Sequence, residues 1–125
     1  MTLDTSDRRE IIRKLLELSW PLEDIAAKVR AIEWDSEGEP VPLTRKHLAA
    51  VLRRYLECHL SAKDVETWAN LIEGRDDICF EAGSEDRIKE TLHELANPAL
   101  TQLLDNRRAA ELHDAITYSE HLNRN

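Results

Sequence analysis

Apolar residues recur at helical spacing through most of this chain, and the recurrences break where Gly, Pro or a capping residue stands. Leu48, Val51, Leu52, Tyr55, Leu56 and Leu60 form one stripe, and Val65, Trp68, Ala69 and Ile72 form the next. The spacing predicts two helices, 45–60 and one from 62 to near Gly74, joined at Ser61. Thr44 caps the first. Ser61 caps the second, with Asp64 in the reciprocal capping-box position. So tight a joint predicts that the two helices pack on each other. Before them, residues 1–5 read as loose. Ser6 or Asp7 caps a helix whose stripe is Ile11, Ile12, Leu15, Leu16 and Leu18. Pro21 opens a second helix, about 21–33, with Glu23 and Asp24 in its first turn, where the helix dipole favours acids.

Gly38, Pro40 and Pro42 exclude a helix from 34–44, and Val41 and Leu43 suit a short extended piece. After the central pair, Arg75, Asp76 and Asp77 turn the chain, and Ile78, Cys79 and Phe80 pack back under the pair as a short strand. Ser84 caps a helix over 85–96 with the stripe Ile88, Leu92 and Leu95. Asn97 and Pro98 then start a short helical turn, 98–104. Asp105 caps a last helix, 106–120, that uses Ala109, Leu112, Ala115, Ile116 and Tyr118. The expected fold is all-α: a compact bundle of about five helices in one domain, 1–125, with short extended pieces near 39–43 and 78–81.

Composition agrees with a folded helical protein, since aromatics are few but aliphatic residues are regularly spaced. At 125 residues the chain is long enough to close a core without staples. No apolar run is long enough to cross a bilayer, and MTLDTSDRRE lacks the apolar core of a secretory signal. A cytoplasmic location follows as the expectation. In that reducing compartment Cys58 and Cys79, which fit no metal spacing, are expected to be free thiols.

Charge changes the picture more. The net charge is −8, and the excess is local. Residues 33–44 hold four acids (Glu33, Asp35, Glu37 and Glu39) and no base, and residues 61–97 hold ten acids against four bases. Such a chain repels nucleic acid and attracts basic partners, although plain solubility explains many acidic proteins equally well.

Motifs for catalysis are sparse. Glu90-x-x-His93 has the spacing of a carboxylate-bridged di-iron site, but such sites need two copies and only one is present. His93-Glu94 lacks the second His of the zinc-protease motif. Glu73, Asp76, Asp77 and Glu81 lack the alternating ligands and central Gly of a calcium loop, so they read as a solvated acidic turn. Cys58 and His59 are neighbours on a predicted helix and point apart. There is no Gly-rich phosphate loop and no nucleophile elbow. Neither a cofactor nor a catalytic residue is implied, and an enzyme is not the expected reading. Of the three tryptophans, Trp68 belongs to the core and Trp20 to the first helical joint. Trp34 either pins its own loop or anchors a basic partner, with Glu33, Asp35, Glu37 and Glu39 around it.

Residues 53–77, RRYLECHLSAKDVETWANLIEGRDD, resemble a pattern found in small bacterial helical proteins of unknown function. They are also similar to the helical immunity proteins that neutralise colicin-type tRNA-cleaving toxins. The shared features are an amphipathic helix, an L-S-A-x-[DE] joint at Leu60–Asp64, and a following helix with an aromatic at Trp68. That resemblance implies an acidic surface covering a toxin's basic active site, and it carries over no individual contact residue. The expected function is an acidic cytosolic binding protein that masks a basic protein partner, with Trp34, Asp35, Glu37, Glu39, Glu73, Asp76, Asp77 and Glu81 at the contact. The alternatives are a helical adaptor or regulatory subunit without a toxin partner, and a metal-dependent enzyme using Glu90 and His93.

Overall fold

The computed structural model describes residues 5–19, 21–31, 40–75 and 77–122. They form six α-helices and two short strands: α1 (Thr5–Glu17), α2 (Leu22–Ala31), β1 (Val41–Leu43), α3 (Arg45–Leu56), α4 (Ala62–Ile72), β2 (Ile78–Phe80), α5 (Glu85–Ala96) and α6 (Asn106–Leu122). The predicted stripes point inward: Ile12, Leu15 and Leu16 from α1, Ile25 and Val29 from α2, Leu48 and Leu52 from α3, Val65 and Trp68 from α4, Ile88 and Leu92 from α5, Ala109 and Ile116 from α6. They meet in one apolar core. Among the described residues no helix is long and apolar enough to cross a membrane.

Local chemistry sets the helix ends. Ser61 and Asp64 form the capping box, with the Asp64 N–H donating to Ser61 Oγ at 3.0 Å and the Ser61 N–H to Asp64 Oδ2 at 2.9 Å. Asp105 caps α6 by accepting the Arg108 N–H at 2.8 Å. Other ends differ from expectation. α1 is described from Thr5, with Ser6 and Asp7 within the helix. Ser84 is buried and makes no side-chain cap; Glu85 Oε1 instead turns back to accept the Gly83 N–H at 2.9 Å. The Asn97 side chain does not cap the 98–101 turn but donates backward to the His93 carbonyl at 2.9 Å.

α3 ends at Leu56, four residues early, because Cys58 takes a left-handed conformation, φ +66°. The His59 N–H reaches the Arg54 carbonyl at 2.8 Å and the Cys58 N–H that of Tyr55 at 3.0 Å, the pairing of a Schellman motif. Leu18 ends α1 in the same way, φ +49°. A side chain in this region costs about 1 kcal/mol relative to glycine. Cys58 is exposed and buries nothing that glycine would lose. Cys58→Gly is therefore expected to raise stability by about 0.5–1 kcal/mol, read as a higher denaturant midpoint. Leu18→Gly is expected to lower it, because Leu18 is buried. Both cysteines are free.

The packing partners also differ from expectation. α3 makes its main contacts with α6, and α4 with α5; the contact of α3 with α4 is minor. The extended pieces pair with each other. β1 and β2 run parallel, Val41 opposite Ile78 and Leu43 opposite Phe80, with α3 and α4 forming the crossover that a parallel pair requires. Pro42 sits exposed on β1, where its missing N–H removes no ladder bond.

Candidate functional site

Trp34, Asp35, Glu37, Glu39 and Asp76, like Trp20, lie outside the described residues. The other three predicted contact acids do not form a patch, because each is engaged by a different part of the fold. Asp77 is buried, not solvated: its carboxylate accepts Arg75 Nε and Nη2, both at 2.8 Å, and both side chains are under a tenth exposed. The Asp77 carbonyl also receives the Val41 N–H at 2.9 Å and starts the ladder. Glu73 closes the end of α4 against α5, with Asn97 Nδ2 at 3.1 Å and His93 Nδ1 at 3.2 Å from its carboxylate.

Glu81 reaches across from the end of β2 to the start of α3. Its Oε1 accepts the Arg45 N–H at 2.9 Å, and the Arg45 guanidinium stands at 3.5 Å. That backbone bond, with help from the Arg45 charge, holds the Glu81 carboxyl below its ordinary value. The same helix start carries an unexpected cap. Thr44 Oγ1 accepts the His47 N–H at 3.2 Å, while the Thr44 N–H donates to His47 Nδ1 at 3.0 Å. Histidine thus completes a capping box normally closed by Glu or Gln, with Nδ1 as the acceptor of a neutral ring.

This cap makes stability depend on pH. Burial pushes His47 below its ordinary value of 6.5, against the opposing pull of Glu17 and Glu81. The unfolded chain then takes up the proton at a higher pH than the folded one. Stability that is complete above pH 6.5 is lost as the pH falls through the lowered His47 value. Glu81 adds a second loss below 4.5, also because its folded value is depressed. His47→Gln retains an acceptor for the Thr44 N–H and does not titrate. It is expected to flatten the first window and leave the second. Denaturation midpoints between about pH 4 and 7 check this, and equal slopes for the two proteins just below pH 6.5 would rule it out.

The remaining candidates separate. Glu90 and His93 are both exposed on α5, and among the described residues no three His, Cys, Asp or Glu side chains converge to hold a metal. Cys58 and His59 lie past the end of α3 instead of on it. Glu94 is tied to Arg108 by two short bonds, 2.6 and 2.7 Å, which raise the guanidinium further above its ordinary value.

Sequence reasoning missed Leu100 and Leu103. They are 79 % and 73 % exposed, whereas the other large apolar side chains described are buried or half-buried. The predicted helical turn over 98–104 is shorter than expected, and residues 102–105 run on without helical structure. Leu104 packs against the core, and the Tyr55 hydroxyl donates to its carbonyl at 3.4 Å, so the loop is held with Leu100 and Leu103 outward. Comparison with protein-family models, curated proteins and solved structures found no match to this chain.

Proposed function

We propose that this chain is an acidic binding protein that masks a basic protein partner, and in its most specific form an immunity protein that neutralises a nuclease toxin. The exposed Leu100–Leu103 pair carries the reading. Two large aliphatic side chains held outward on a loop anchored to the core make an apolar contact centre, and Asp105 stands exposed beside them. The net charge of −8 supports a basic partner through long-range attraction. Contact through Glu37, Glu39 and Trp34 belongs to the same proposal. Asp77 and Glu81 do not, since their carboxylates serve the fold. An adaptor without a toxin partner would use the same leucines, and the partner's charge and activity distinguish the two.

The test is capture at low salt from host lysate, then kinetics and a nuclease assay on the retained protein. Association is expected to slow steeply with added salt and with Glu37→Lys/Glu39→Lys. Leu100→Ser/Leu103→Ser and Trp34→Ala are expected to speed dissociation instead, by about tenfold or more. The bound partner's nuclease activity should be blocked. An acidic or neutral partner whose rates ignore salt would remove charge masking, and a basic partner without nuclease activity would remove the immunity reading.

A further inference from the structure

A cleft of about 440 Å³ opens between α2 and α4, with Arg75 in its wall. That volume lies within the range of small-molecule sites. Its lining runs against the charge of the whole chain. Among the described residues Arg30, Lys63 and Arg75 line it beside one acid, Glu66, with the Arg75 charge balanced from behind by Asp77, in a protein where acids outnumber bases 25 to 17. Glu66 is itself tied to Lys63 at 3.7 Å. Arg75 is buried, and its guanidinium is held in one orientation by the paired bonds to Asp77. A cation set in place before binding loses little rotamer freedom when a ligand arrives. Arg30 stands in the last turn of α2 and Lys63 near the start of α4, and both are exposed. Val29 and Leu71 add an apolar wall.

We infer that this cleft binds a small organic anion, with a carboxylate or phosphate group against Arg30, Lys63 and Arg75 and a compact apolar body against Val29 and Leu71. A fixed buried guanidinium supplies direction, the two flexible cations supply charge, and the apolar wall excludes a fully hydrated inorganic ion as the best fit. Leu103 lines a neighbouring pocket that shares Lys63 and Glu66 with this cleft, whereas Arg30 lines the cleft and not that pocket, so Arg30→Gln distinguishes this inference from the protein contact at Leu100 and Leu103.

The test uses the full chain, isotope-labelled, titrated separately with isobutyrate and with phenyl phosphate at constant ionic strength set by sodium chloride. Saturable shifts are expected at the Thr67 and Asn70 amides, both of which border the cleft. The probe that saturates at lower concentration identifies the preferred acid group. Arg30→Gln and Lys63→Gln should each weaken binding by about tenfold without affecting the fold. Lys89→Gln, exposed on α5, should leave binding unchanged. The inference is overturned if neither probe saturates, if the shifts scatter over the surface, or if Lys89→Gln weakens binding as much as the cleft variants do.

Discussion

Trp68→Ala is expected to destabilise the protein by about 3–5 kcal/mol and to lower its thermal midpoint by about 10–25 °C. The indole is fully buried on α4 and lies in the shared core. It also has a polar task. Its Nε1–H donates at 2.7 Å to the Leu15 carbonyl in the last turn of α1, which also accepts the capping Leu18 N–H at 3.2 Å. Alanine removes the apolar volume and that bond together. Trp68→Phe separates them: it keeps most of the volume and leaves the Leu15 carbonyl its second partner, the Leu18 N–H at 3.2 Å, so its loss should be nearer the roughly 1 kcal/mol of one hydrogen bond. Calorimetry on both variants decides the matter, and an unchanged midpoint for the alanine variant would disprove the role of Trp68 in joining α1 to α4.

Breaking the Arg75–Asp77 pair should be about as damaging. Asp77→Ala leaves a buried guanidinium without its carboxylate, and removing one partner of a buried pair costs about 3–5 kcal/mol. Replacing both, as Arg75→Met/Asp77→Leu, removes the stranded charge along with its partner. The double variant is expected to be markedly more stable than Asp77→Ala, because apolar replacement of a whole buried pair is often close to neutral. Urea denaturation of the three proteins measures the difference. A loss of a few tenths of a kcal/mol for Asp77→Ala would instead be the signature of a solvated surface pair.

Much of the fold was legible in the chain because it depends on short-range rules. Helical stripes and the caps at Thr44, Ser61 and Asp105 involve residues three or four apart, and these elements appear where the pattern puts them. The misses share a different cause. Ser84 has the composition of a cap, but Glu85 takes the loop bond and Ser84 is buried. The acids of 73–81 looked like one solvated cluster by composition alone. Their partners lie far away in sequence, Arg45 for Glu81 and Asn97 for Glu73, or point inward, as Arg75 does for Asp77. Leu103 and Leu104 are adjacent and chemically identical, yet one is exposed and the other packs on the core.

The sequence by itself determined the helical class, most element positions and the negative charge, since periodicity, capping and composition act over a few residues or over the whole chain at once. Tertiary structure decided that α3 packs on α6 rather than α4, that β1 pairs with β2, which acids are spent inside the fold, and that Arg75 faces a cleft with Arg30 and Lys63. Those outcomes depend on which apolar faces meet. Many pairings bury similar area, and the selection among them is made by contacts between residues distant in the chain.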